Sequence, residues 1–186
     1  PTIGGACTGL GISPRCIQEV TGVYKAYTTR VGSGPLPTEL KDEIGEAIRE
    51  RAWEYGTTTG RARRCGWFDA VAARYTATLN GMTSAVITRL DVLDGFSPVK
   101  ICVAYRLNGE AIDRFPSSPS LLETCEPVYE ELPGWDRPTA GAQDISQLPQ
   151  EAVSYVRRVE ELLGCPISVI STGPHREETI LLRPIL

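Results

Sequence analysis

Histidine is almost missing from this sequence, His175 being the only one among 186 residues. A His-rich metal centre is therefore excluded, and any Cys-His nucleophile pair would hang on that single side chain. Long apolar runs are missing too. No stretch approaches the ~18 residues needed to span a bilayer, and the start of the chain carries no basic segment followed by an apolar one, so a cytoplasmic protein without a membrane span is expected. There is no basic excess: 19 Lys and Arg stand against 23 Asp and Glu, for a formal charge of −4. That balance removes any global attraction to nucleic acid and makes an anion site a local matter. Cys7, Cys16, Cys65, Cys102, Cys125 and Cys165 form no Cys-x-x-Cys pair, so neither a zinc site nor a redox motif is expected, and reduced thiols are.

Nucleotide signatures are lacking as well. Gly4 and Gly9 have the spacing of a phosphate loop, but Leu10-Gly11 stand where Lys and Ser or Thr are needed. Neither Gly-x-Gly-x-x-Gly nor Gly-x-Ser-x-Gly occurs, which leaves dinucleotide-binding and serine-hydrolase readings without local support. Met82 is the only methionine and the chain opens on Pro1, which keeps open that the sequence is a fragment.

What is present is ordinary globular composition, 41% hydrophobic and 23% charged, enough for one packed unit. Residues 1–12 are glycine-rich and read as a loop, and Ser13-Pro14 starts a short predicted helix through Val20. Gly22 to Arg30 reads as a strand running into the loop Gly32 to Pro35. A helix is predicted from Thr38, with Leu40, Ile44, Ala47 and Ile48 on one face and Gly56 as its stop. A loop follows, then a helix over about Phe68 to Leu79, closed by Asn80-Gly81. Strands are predicted at Ala85 to Leu90 and Val99 to Leu107, and Asn108-Gly109 marks a hairpin returning through Phe115. Pro116 to Leu148 reads as irregular apart from a strand near Val128 to Leu132. A final helix runs from Pro149 to Gly164, followed by a strand over Ile167 to Ile170. The alternation predicts an α/β fold with a mixed, mainly parallel sheet flanked by helices and an inserted antiparallel hairpin.

Two segments carry chemistry. Thr57-Thr58-Thr59-Gly60-Arg61-Ala62-Arg63-Arg64 packs three hydroxyls, one glycine and three guanidiniums into eight residues. Guanidiniums hold carboxylates or phosphates through paired hydrogen bonds, hydroxyls and loop amides complete the oxygen shell, and glycine lets the backbone come close. Dicarboxylates and phosphates fit equally well, and so does a solvated basic turn paired with surface acids. Arg89-Leu90-Asp91, at a predicted strand end, sets a cation and a carboxylate two residues apart. An ionised Asp accepts from the N1–H and 2-amino group of guanine, a donor pair that adenine lacks, while a guanidinium covers the purine face. A surface ion pair fits the same residues.

Taken together, Gly22-Val-Tyr-Lys-Ala-Tyr-Thr-Thr-Arg-Val-Gly32, Pro37-Thr-Glu-Leu40, Gly56 to Trp67, Leu90-Asp-Val-Leu-Asp-Gly95, Leu132-Pro-Gly-Trp135 and Ser171-Thr-Gly-Pro174 resemble the adenylosuccinate synthetase family, in the family's order. The resemblance implies the C-terminal portion of a larger P-loop-type α/β enzyme. That enzyme is a GTP-dependent, magnesium-dependent ligase joining IMP and L-aspartate in purine biosynthesis, and a cytoplasmic homodimer. It implies that Thr57, Thr58, Thr59, Gly60, Arg61, Ala62 and Arg63 bind aspartate. Arg61 is also implied to contact IMP, and Arg63 GTP. Val31 would lie beside the IMP ribose, and Arg89, Leu90, Asp91, Ser171, Thr172 and Gly173 would hold guanine. The catalytic residues and magnesium ligands are expected outside this chain. Three regions are expected: 1–95 with the aspartate loop and guanine segment, 96–148 with the hairpin and irregular insertion, and 149–186 with the last helix, strand and second guanine loop. The sequence departs from the family's usual Lys at Arg89, Asp at His175 and Pro at Ala62. The alternative to a ligase portion is a non-catalytic module binding guanine nucleotides or dicarboxylates.

Overall fold

The computed structural model describes residues 2–184. Pro1, where the expected first loop begins, and residues 185–186, at the end of the expected third region, lie outside the described residues. The loop itself is replaced by helix α1 (Ile3–Leu10): the Thr2 hydroxyl accepts from the Gly5 N–H, and Gly11 closes the helix at φ 65°. Its three glycines lower helix propensity and masked that cap pair. The helix expected after Ser13 shrinks to one 3-10 turn, Pro14–Cys16.

The single strand expected over Gly22 to Arg30 is two strands. β1 (Thr21–Lys25) and β2 (Thr28–Arg30) belong to different sheets, because the chain bends at Ala26 and Tyr27, whose side chains are buried. Thr38 does not cap the next helix. It is fully buried, with its carbonyl against Gly66, where a Cβ would meet it at 2.1 Å. Asp42 is the cap, accepting from the Gly45 N–H at 3.1 Å, and helix α2 covers Glu43–Arg51. The helix stops short of Gly56 because Trp53 turns the chain at φ 49°.

The stretch before the next helix contains β3 (Arg64–Gly66), antiparallel to β2, and β4 (Phe68–Asp69). Asp69 then caps α3 (Ala70–Asn80) through the Ala72 N–H at 3.0 Å. β6 (Val99–Leu107) sits where the pattern predicts; β5 (Ser84–Thr88) stops short of the predicted Leu90, because Arg89 leaves the strand at φ 59°. Asn108 and Gly109 both take positive φ, 52° and 85°, as a tight hairpin turn requires. The return strand β7 (Glu110–Ile112) ends sooner than expected. The segment expected to be mostly irregular holds a short helix, α4 (Pro119–Glu123), and the strand expected near Val128 to Leu132 is β8 (Glu126–Leu132), which pairs with β6 from Val99↔Leu132 to Arg106↔Glu126. Helix α5 (Gln150–Leu163) and strand β9 (Ile167–Ser171) follow the prediction, and β10 (Thr179–Leu181) was not foreseen.

The fold is α/β. One sheet has the order β1-β5-β9-β10, with β1, β5 and β9 parallel, β10 antiparallel and β1 outermost. A second sheet joins β4, β6, β7 and β8, the hairpin lying in it. Ala85, Ile87, Ile167 and Ile170 are fully buried, as expected of strands covered on both faces. Helix α5 packs Tyr155, Val156 and Val159 into the same core, and the Tyr155 hydroxyl donates to the Ala26 carbonyl at 2.6 Å. No helix among the described residues is long and apolar enough to cross a membrane.

Asp94 ties the long 133–142 connection to this body. Its carboxylate accepts from Trp135 Nε1 at 2.6 Å, the Thr139 amide at 2.8 Å and the Thr139 hydroxyl at 2.8 Å. Asp94→Ala leaves the buried Trp135 and Thr139 donors unpaired and is expected to cost about 3 kcal/mol of stability. Urea unfolding of the chain measures it, and an unchanged midpoint would mean that the clamp is dispensable.

Candidate nucleotide and anion site

Ligands of open α/β sheets gather beyond the carboxyl ends of the parallel strands. Here three segments meet at that edge: the turn after β5, the loop after β9 and the connection from α2 to β3.

After β5 the chain enters a left-handed conformation at Arg89, φ 59°, and then one 3-10 turn over Leu90–Leu93. Arg89 Nη1 donates to the Ala52 carbonyl at 2.5 Å, which ties the turn to the end of α2. Leu90 is fully buried. Asp91 Oδ1 is buried without a hydrogen-bond partner among the described residues. Burial pushes the Asp91 carboxyl above its ordinary value, helped by the Asp94 and Glu178 charges, while its own backbone amide and Arg89 pull it back. A buried acceptor without a partner costs free energy unless a ligand fills it.

The loop after β9 is closed on itself. The Ser171 hydroxyl donates to the Gly173 carbonyl at 2.9 Å. The buried Thr172 spends its hydroxyl on the Ala142 carbonyl at 3.0 Å, and its amide on the Glu178 carbonyl at 3.0 Å. The Glu178 carboxylate accepts from the His175 amide at 2.8 Å and lies so close to Gly173 that a Cβ there would meet it at 2.2 Å. What this loop has left to offer a ligand is mainly backbone.

The connection from α2 to β3 is pinched rather than slack. Tyr55 bridges Ala62, the Gly56 amide donates to the Arg61 carbonyl at 2.8 Å, and the Gly60 amide to the Gly56 carbonyl at 2.8 Å. Gly60 turns the tip at φ 64°. Thr57, Thr58, Thr59, Gly60, Arg61 and Ala62 are all exposed. The three arginines counted together in the sequence have separate fates. Arg64 is held by Glu39 at 2.7 and 2.6 Å and by the Gly32 and Gly34 carbonyls, so it belongs to the fold. Arg63 gives Nη1 to Glu54 at 2.7 Å, while its Nε is buried without a partner among the described residues. The Arg61 side chain forms no ion pair among the described residues. Val31, just past β2, is 74% exposed.

Glu54, Lys25 and Tyr27 sit in this site and had drawn no attention in the sequence. A carboxylate among Trp53, Tyr55 and Ala52 carries no periodic or motif signal. The six cysteines are free, and burial, with the Glu54 charge, pushes the Cys65 thiol up to about 11, away from thiolate chemistry. No three His, Cys, Asp or Glu side chains converge as a metal site among the described residues, so none of them is assigned to magnesium.

A family model described as adenylosuccinate synthetase matches residues 1–180. The adenylosuccinate synthetase of Carboxydothermus hydrogenoformans is 56% identical over 98% of this chain, and that of Pelobacter propionicus 54% identical over 97%. The chain spans 43% and 42% of the lengths of these two relatives. The structure of fully ligated adenylosuccinate synthetase from Plasmodium falciparum superimposes with a TM-score of 0.94 at 38% identity, covering 98% of this chain and 44% of that one.

Proposed function

The chain belongs to the adenylosuccinate synthetase family, and from that premise we propose that it forms the C-terminal part of a GTP-dependent ligase joining IMP and L-aspartate. The order of the motifs supports the C-terminal assignment, as does the lack of a phosphate loop in the sequence. In this reading residues 1–95 carry the aspartate loop and guanine segment, 96–148 the hairpin and its connections, and 149–186 the second guanine loop.

The observation that carries the reading is the buried Asp91 Oδ1 at the carboxyl edge of the sheet, without a hydrogen-bond partner among the described residues. Guanine supplies the two donors that such a carboxylate lacks. Arg89 contributes the neighbouring cation, and Leu90, Ser171, Thr172 and Gly173 contribute backbone. Thr57 to Ala62 offer aspartate exposed hydroxyls, amides and the Arg61 fork. Arg63 reaches aspartate and GTP with the nitrogens that Glu54 does not use, and Val31 offers an exposed apolar surface to the IMP ribose. Magnesium neutralises phosphate charge in such transfers. Its ligands, and those of the phosphates, are assigned outside this chain, and a cytoplasmic homodimer is assigned to the full-length enzyme.

The test is a chimera in which this chain replaces the matching segment of the 56%-identical relative. With IMP, GTP, L-aspartate and magnesium it should form adenylosuccinate. A folded but inactive chimera would overturn the assignment. Within the active chimera, Arg61→Leu should raise the KM for aspartate about tenfold to a hundredfold, the loss of charge-assisted bonds. It should leave thermal stability unchanged, since Arg61 is exposed. Wild-type kinetics would return the loop to a solvated basic turn.

A further inference from the structure

We infer that Glu54 is a positioning residue for the anion-binding loop, holding Arg63 against the carboxyl end of β1 so that one buried carboxylate sets how the Arg63 guanidinium faces the ligand. The inference rests on reading residues 57–63 as the aspartate loop.

The side chain of Glu54 is 1% exposed. Its Oε1 accepts from Lys25 Nζ at 2.5 Å and from the Tyr27 hydroxyl at 2.6 Å, and its Oε2 from Arg63 Nη1 at 2.7 Å. Its backbone carbonyl accepts the Arg63 amide at 2.8 Å. The end of β1, the bend after it and the residue before β3 therefore converge on one side chain. Burial would raise the Glu54 carboxyl, but the hydrogen bonds from Lys25, Tyr27 and Arg63 outweigh it and hold the carboxyl below its ordinary value.

Charge counting separates this cluster from a plain structural ion pair. One carboxylate needs one cation to offset its burial. Here it has two, so the cluster keeps a net positive charge. Both cations stay partly open, Lys25 at 29% and Arg63 at 31% exposure. Thr29 Oγ1 also holds Lys25 Nζ, at 3.2 Å. Arg63 Nε is buried without a hydrogen-bond partner among the described residues, Nη1 is fixed on Glu54, and the exposed remainder of the guanidinium is left to face a ligand. A group held that way meets an incoming carboxylate or phosphate with its orientation already set, which lowers the ordering cost of binding.

In the chimera, Glu54→Gln turns part of the carboxylate into a donor that opposes Arg63 Nη1 or Lys25 Nζ, and Glu54→Asp keeps the charge but shortens the reach. Both are expected to raise the aspartate KM by about tenfold or more while kcat stays within about threefold. In an Arg63→Leu background Glu54→Gln should add less than about twofold, because its effect passes through Arg63. Wild-type aspartate KM in both variants, or an effect that multiplies in full on Arg63→Leu, would overturn the inference. The Arg61→Leu variant separates the two readings: if it raises the aspartate KM and the Glu54 variants do not, only the positioning role fails. If none of them does, the loop reading fails.

Limited trypsin digestion of this chain decides the hold on Arg63 without any turnover, and Glu54→Asp keeps it decisive should Glu54→Gln not fold. Cleavage after Arg63 should quicken about fivefold or more in Glu54→Asp relative to cleavage after Arg106, which lies within β6 and reports global opening. Equal acceleration at both sites would show a general loss of stability and overturn the inference.

Discussion

Asp91→Asn is expected to move the active chimera from GTP toward xanthosine triphosphate. The carboxylate Oδ1 is buried and unpaired among the described residues, and guanine presents an N1–H and a 2-amino group on one edge. Asn offers one acceptor and one NH2, so it loses a charge-assisted contact with guanine and gains a donor for the xanthine 2-oxygen. Losing that contact should cost about 1.5 to 3 kcal/mol, about a tenfold to hundredfold fall in kcat/KM for GTP. The kcat/KM for xanthosine triphosphate should rise. Because burial already raises the Asp91 carboxyl, a proton competes with guanine. GTP affinity should hold above the raised pKa and weaken as the pH falls through it, and the Asn variant should lack that acid limb. An unchanged ratio of kcat/KM for the two nucleotides would refute the role given to Asp91.

The second large effect is an absence of turnover. This chain alone is expected to form no adenylosuccinate from IMP, GTP, aspartate and magnesium. Phosphoryl transfer requires the developing charge on the equatorial oxygens to be held by backbone amides, a lysine and a metal ion, with attacking and leaving oxygens in line. The sequence contains no Gly-x-x-x-x-Gly-Lys loop, and among the described residues no acidic or histidine cluster could hold a metal ion. Loops that only orient a ligand, the role proposed for residues 57–63 and 89–91, accelerate only a reaction whose partners are both present. A product assay on the purified chain beside the active chimera checks it. Turnover by the chain alone would mean that a phosphate site has been overlooked.

The elements that could be read from the sequence were those with local causes. Asn108-Gly109 specified the hairpin because both residues tolerate positive φ, and the apolar row of α5 closed by Gly164 specified the last helix. The misreadings arose where two local signals competed or where burial decided. Thr38 and Asp42 are both good caps, and only tertiary packing, which buries Thr38 against Gly66, selects Asp42. β10 is three residues long with one buried side chain, Ile180, too short to show a pattern. In the site, the runs at Thr57 to Arg63 and at Arg89 to Asp91 were conspicuous because like chemistry is consecutive there. Glu54 was not, because its three side-chain partners lie 29, 27 and 9 residues away. The same long-range pairing occupies the Arg64 guanidinium, by way of Glu39, 25 residues earlier.

The outermost place of β1 bears on handling. A parallel sheet seldom ends in solvent, yet among the described residues this five-residue strand pairs with β5 alone, which leaves its outer row of amides and carbonyls without a strand partner, with Val23 69% exposed on it. That row is a template for the strand of a second copy. Concentrated solutions of the isolated chain will be prone to edge-to-edge association, and salt will do little to prevent it, because backbone hydrogen bonds rather than charges make the contact.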